Sequence, residues 1–152
     1  MDWAAAINNP FLQDLPFKIE LDRFGQILMS PATNEHGRWQ FRIGREIDRK
    51  KNSGEIIVEC SIQTTDGVKV ADVAWASDGF MAKYGTKTPF PHAPEICVKV
   101  ISPSNTEAEI AKKIELYLAQ GAREVWICHE NGSRKYYNAQ GPMRLSRETE
   151  KT

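Results

Sequence analysis

Several short stretches of the chain alternate apolar and polar residues with a period of two. Two longer ones repeat with the spacing of a helix. Phe17–Leu21 alternates, which predicts a half-buried strand. Asp22-Arg23-Phe24-Gly25 reads as a turn, and Gln26–Ser30 as the return strand of a hairpin. Trp39, Ile43 and Ile47 recur every four residues and predict a helix over His36–Lys51, closed by Asn52-Ser53-Gly54. Gly44 inside it suits a close contact. Glu55–Gln63 and Val68–Ala76 are β-rich runs joined at Thr65-Asp66-Gly67, a hairpin signal. A short helix over Ser77–Tyr84, capped by Ser77, precedes a loop with three prolines that ends at Pro94.

Ile96–Ile101 is a strand interrupted by one charge, Lys99. Thr106 and Glu109 have capping-box spacing and open a helix that ends before Gly121. Glu124–Cys128 is a buried strand, and Arg134–Tyr137 returns from the Asn131-Gly132 turn. A brief helix over Trp3–Asn8 stops at Asn9-Pro10. The polar tail after Gly141 is expected to fray. The strand–helix–strand unit predicts a right-handed crossover between parallel strands. The sum is an α/β (α+β) domain, a central mixed β-sheet flanked by helices. It divides into an N-terminal extension (1–16), the domain proper (17–140) and a C-terminal tail (141–152).

Composition narrows the classes. The chain has 152 residues, with 20 Lys+Arg balanced by 20 Asp+Glu. That length suits one domain with its own core. The charge balance argues against a protein that holds DNA by bulk positive charge. No apolar run approaches the ~20 residues of a membrane span. The start lacks a basic and then apolar leader, so no signal peptide is expected. Cys60, Cys97 and Cys128 lie in apolar runs without ligand spacing, which predicts buried free thiols in a reducing cytoplasm. Neutrality overall hides a local bias: residues 34–51 carry six basic and three acidic side chains. Arg38, Arg42, Arg45 and Arg49 form a stripe along one helix face, readable either as a DNA-facing surface or as a solvated face.

The candidate chemistry sits on the central strands. Asp72 interrupts VADVAW and Lys99 interrupts ICVKVI. An ionised group on a buried strand is costly and is usually paired or functional. Glu95 lies four residues before Lys99, on the same sheet face of a regular strand. Acid on one strand with acid and lysine on the next is the layout of a metal-dependent phosphodiesterase. There carboxylates hold Mg²⁺ and a lysine offsets developing charge. A plain Asp72–Lys99 salt bridge accounts for the same spacing.

The segment PEICVKVISPSNTEAEIAKKIELYLAQGAREVWIC (Pro94–Cys128) resembles the signature of the Uma-two family, domain of unknown function 820. Ile19–Ile43 and DGVKVADVAW (Asp66–Trp75) resemble the family's opening hairpin and its aspartate strand. The resemblance spans about residues 17 to 138. It implies a restriction-endonuclease-like fold of the PD-(D/E)xK nuclease superfamily and a Mg²⁺ (or Mn²⁺) dependent DNA endonuclease. It also implies double-stranded DNA as partner and a homodimer. Asp72 matches the family's metal-binding aspartate and Lys113 its helix lysine. Ser102-Pro103-Ser104 matches the family turn, and Glu20 and His36 match polar positions near the site.

Lys99 departs from that pattern, because the family carries Glu there. At ~4 Å and an effective dielectric of ~20, a unit-charge interaction is worth roughly 4 kcal/mol, so a reversed sign weakens metal binding. Three readings stay open. Glu95 reaches in as a substitute ligand beside Asp72; or Lys99 serves as the strand lysine, with metal affinity reduced; or the site no longer supports cleavage and the chain is a nuclease-fold DNA-binding or protein-interaction module.

Overall fold

The hydrophobic pattern folds into one six-stranded sheet, one separate hairpin and helices on both sheet faces. The computed structural model describes residues 1–15 and 17–150. Pro16, at the end of the expected N-terminal extension, and residues 151–152 of the expected tail lie outside the described residues. In chain order the elements are α1 (Trp3–Asn8), β1 (Phe17–Leu21), β2 (Ile27–Pro31), α2 (Asn34–Lys51), β3 (Glu55–Thr64), β4 (Gly67–Ala76), α3 (Asp78–Tyr84), β5 (Ile96–Ile101), α4 (Glu107–Ala119), β6 (Glu124–His129), β7 (Arg134–Asn138) and β8 (Gly141–Met143). A single 3-10 turn, Pro10–Leu12, follows α1.

The large sheet runs β3-β4-β5-β6-β7-β8. Its β5–β6 pair is parallel and its other ladders are antiparallel, so the sheet is mixed. α4 makes the crossover between the parallel strands, as its position between them requires. Its capping box is complete: Thr106 accepts from the Glu109 N–H, and the Glu109 carboxylate accepts from the Thr106 N–H.

α2 begins two residues earlier than its apolar stripe suggests. Thr33 accepts from the His36 N–H and caps the helix there. α2 buries Ile43 and Ile47 against Val73, Val98 and Trp126 on one sheet face. Gly44 permits this approach, since a Cβ at that position would lie 3.2 Å from Ile56 and 3.6 Å from Val73. On the other face, Tyr117 of α4 packs with Ala71, Val125 and Ile127. The three cysteines are buried and free, and burial pushes Cys60 and Cys128 each up to about 12.

The β1–β2 hairpin packs over β4. Gly67 lets the β3–β4 turn press against it: φ is +84°, and an added Cβ would sit 2.3 Å from the Asp22 carbonyl oxygen. Lys69 donates to the Leu21 carbonyl at 3.2 Å, and Arg23 to Asp66 at 3.1 Å. This docking turns the polar side of β1 inward. Lys18 and Glu20 are covered, while Phe17 stays exposed.

Through its described residues, 141–150, the tail is held against the domain rather than frayed. β8 adds to the sheet edge, and Glu124 holds the segment beyond it. One Glu124 oxygen accepts from Ser146 Oγ at 2.5 Å and Trp126 Nε1 at 3.0 Å; the other accepts from the N–H groups of Arg147 (2.7 Å) and Glu148 (3.1 Å). A buried carboxylate with four donors outweighs the polar character of the tail. Glu124→Ala leaves those donors without an acceptor. It is expected to lower the unfolding free energy by about 2–3 kcal/mol in urea titration, and an unchanged midpoint would contradict the clasp.

Candidate functional site

The site forms where two strands lose their regularity together. Val58 pairs with Val73 and Cys60 with Ala71, but the ladder skips Glu59 opposite Asp72. Glu59 has φ +57°, a left-handed conformation costly for a residue with a Cβ. Ala71 and Ala74 pack into the same core cluster although three residues apart, as do Cys60 and Ile57. Strict alternation would put them on opposite faces, so the pleat slips by one at the Glu59–Asp72 pair. Gln40 of α2 bridges the irregular point, donating to the Asp72 carbonyl at 2.9 Å and to Glu59 at 3.3 Å.

The Asp72 side chain is fully buried, at 0% exposure. Lys18 donates to its Oδ1 at 2.5 Å, and His36 Nε2 lies 3.0 Å from the same oxygen. Oδ2 accepts from the Val100 N–H at 2.7 Å, with Lys99 Nζ 3.7 Å away. Register explains the meeting: Val73 pairs with Val98 on the antiparallel ladder, so Asp72 stands level with Lys99. Burial alone would raise the Asp72 pKa, but Lys18, His36 and Lys99 outweigh it and hold the carboxyl well below the usual range. Burial likewise opposes the charge on Lys18, yet Asp72 and Glu20 keep its ammonium above the ordinary lysine value.

Glu20 forms a second ion pair beside the first. It accepts from the Val70 N–H at 2.6 Å and bonds Lys113 of α4. Its pKa is lowered: Lys113 and Lys18 overcome the effect of burial. Lys113 is pushed down to about 8, first by burial and then by Lys18 and Lys99, against the pull of Glu20. Two cavities open here and share Lys99. One, about 360 Å³, also reaches Glu20, Lys112, Lys113 and apolar Met29 and Ile110. The other, about 640 Å³, also reaches Lys18, His36, Glu59, Ser102 and Ser104.

The structure thus brings together Asp72, Lys99, Glu20, Lys113 and His36. It does not bring Glu95. That residue precedes β5 and lies beyond the Trp75–Ile96 pair, at the other end of the strand from Lys99's surroundings. Its carboxylate accepts from the Ser77 N–H at 3.0 Å and Ser77 Oγ at 2.5 Å, at the head of α3. The expectation of Glu95 as a metal ligand and catalytic acid is therefore corrected: its strand spacing was right, but helix capping holds it elsewhere. Lys18, Gln40 and Glu59 were not singled out from the sequence. Lys18 had one legible signal, since it shares a strand face with Glu20 two residues on.

The arginine stripe runs outward from the site along α2, whose first turn carries His36. Arg38 bonds Glu35 at 2.8 and 3.0 Å. Arg42 lies over the Trp39 ring and Arg45 over the Phe41 ring. Arg42, Arg45 and Arg49 line a shallow groove with Arg134, whose guanidinium bonds Glu46.

A divalent cation of the Mg²⁺ class needs several oxygen ligands at ~2.0–2.6 Å. Both Asp72 oxygens and the inner Glu20 oxygen are committed to cations and backbone N–H groups. Among the described residues, no group of three or more His, Cys, Asp or Glu is placed to hold a metal ion. The donor set present does not fit Mg²⁺ or Mn²⁺. Among the described residues, no helix is long and apolar enough to cross a membrane.

Comparison with known proteins agrees with the fold. A family model described as "Uma2: Putative restriction endonuclease" matches residues 10–144. A crystal structure titled as a "putative nuclease belonging to DUF820" from Anabaena variabilis superposes with a TM-score of 0.65. It is 14% identical, and the match covers 88% of this chain and 84% of that one. No curated protein matches.

The buried charge makes a prediction. Asp72→Asn leaves Lys18 and Lys99 without their counter-charge and is expected to cost about 3 kcal/mol at neutral pH. A carboxyl whose folded pKa is depressed contributes fully above its unfolded value, and the contribution is lost as pH falls toward the folded one. The gap between wild type and Asp72→Asn in urea titration should therefore narrow below about pH 5. A gap that is absent at pH 7, or that widens with acid, would contradict the ion-pair account.

Proposed function

Because this chain belongs to the Uma2 family, we propose that it is a nuclease-fold protein that binds DNA at the Asp72 site without metal-dependent cleavage. One observation carries the reading: both oxygens of the fully buried Asp72 carboxylate are engaged, one by Lys18 and His36 and the other by the Val100 N–H with Lys99 3.7 Å away. In a phosphodiester hydrolase the metal activates water and stabilises the charged transition state. The ammonium groups present offset phosphate charge but do not lower the pKa of a bound water as a metal does.

The DNA-facing surface in this reading extends from the cavities beside Lys99 along Arg38, Arg42, Arg45 and Arg49. At 1.5 Å per residue that stripe is roughly 16 Å long, enough to follow several phosphates. Arg38 is partly neutralised by Glu35, and the chain is neutral overall. Binding should accordingly be of modest affinity and strongly salt-dependent.

A second reading is the metal-dependent endonuclease. The family description favours it, as does the placement of two buried acids, Asp72 and Glu20, on either side of Lys18. Plasmid DNA separates the two. Under the first reading the unmodified chain retards duplex DNA but leaves supercoiled plasmid intact in Mg²⁺ or Mn²⁺. Arg42→Ala with Arg45→Ala then weakens binding and flattens its salt dependence. Rapid nicking by the unmodified chain, abolished by Asp72→Ala, would establish the second reading instead.

A further inference from the structure

Two buried carboxylates, Asp72 and Glu20, meet the ammonium groups of Lys18, Lys113 and Lys99, and the exposed Glu59 lines the larger cavity with Lys18 and Lys99. Lys18 is matched by Asp72 and Lys113 by Glu20, each in direct contact. Lys99 is the cation left over. Its ammonium is 3.7 Å from Asp72 Oδ2, beyond hydrogen-bond distance, and among the described residues nothing accepts a hydrogen bond from it. Yet its side chain is only 14% exposed. The ammonium opens onto the cavities with no close acceptor, so an entering anion would make a direct charge-assisted hydrogen bond to it.

The space to receive one is present. Lys99 forms part of the wall of the 360 Å³ cavity between the β1–β2 hairpin and α4. The acids of that cavity are already engaged: Glu20 by Lys113, Asp66 by Arg23 and Lys69, and Glu109 by Asn105 and the α4 cap. Lys112 adds a second cation free of ion pairs among the described residues. Leu28, Met29, Ile110 and Leu116 give the same cavity an apolar wall. Cationic depth with an apolar side suits a phosphate carrying a flat, partly apolar group.

We propose that Lys99 has replaced the divalent cation as a fixed positive charge, and that this cavity binds the phosphate group of a nucleotide without any metal. This deepens the reading of the Asp72 site as a DNA-binding site. The nucleotide's source is either a free monophosphate or a nucleotide within a DNA strand, since the recognised chemistry is the same.

The test is calorimetric titration in EDTA with inorganic phosphate, a deoxynucleoside monophosphate and the unphosphorylated deoxynucleoside. The monophosphate should bind with no metal present and more tightly than phosphate; the deoxynucleoside should not bind detectably. Lys99→Met should weaken monophosphate binding about tenfold or more, and Lys99→Arg should retain it. Circular dichroism melting of both variants checks that the fold is kept. Monophosphate binding that needs Mg²⁺, or that Lys99→Met leaves unchanged, would overturn the proposal, as would no binding at all. A 5′-phosphorylated single strand distinguishes the sources: if it competes with the monophosphate, the site accepts polymer ends. Failure of duplex retardation alongside Lys99-dependent monophosphate binding would sink the DNA reading while supporting this one.

Discussion

The carboxylate of Asp72 is cut off from water, and its charge must be answered by its neighbours. Moving an ion of that size into the interior costs several kcal/mol even after relaxation. Here the answer is assembled from three separate elements. Lys18 comes from β1, His36 from the first turn of α2, and Lys99 with the Val100 N–H from β5. Each element has its own reason to be there. Thr33 caps α2 beside the site, Gly67 lets the hairpin turn dock under β1, and the antiparallel register sets Lys99 level with Asp72. Remove the charge and these elements lose a common anchor.

That anchor also decides what the fold can do. A metal-dependent phosphodiesterase balances its buried carboxylates with a divalent ion. In this chain Lys18 and Lys99 answer Asp72, and Lys113 answers Glu20. Lys99 lines both cavities beside the ion-pair cluster. Neutrality over the whole chain coexists with a local group of lysines, Lys69, Lys99, Lys112 and Lys113, around the smaller cavity. Catalysis by metal and binding by fixed ammonium are alternative uses of one geometry, and we propose the second.

Much of the architecture was legible in the sequence because it follows from periodicity and turn chemistry. The β3–β4 hairpin, the capped α4 and the parallel crossover lie where Asp66-Gly67, Thr106 with Glu109, and two apolar strands put them. Asp72 and Lys99 stood out as charges in apolar runs. What could not be read is long-range. Glu95 has the right spacing for the Lys99 face, but Ser77 captures it across the sheet. The slip in pleat at Glu59 depends on a positive φ that no local pattern announces. Lys18 looked like the solvated side of a half-buried strand, and only hairpin docking shows that its polar face is the covered one. The tail appeared free because Glu124, its clasp, lies over twenty residues upstream.

The central claim is that ammonium groups, not a divalent ion, neutralise Asp72. Anomalous diffraction from crystals grown in millimolar Mn²⁺ tests it most directly. The account predicts no manganese peak bonded to Asp72, with Lys18 and Lys99 still turned toward its carboxylate. A manganese ion coordinated by Asp72, with the lysines displaced, would contradict it.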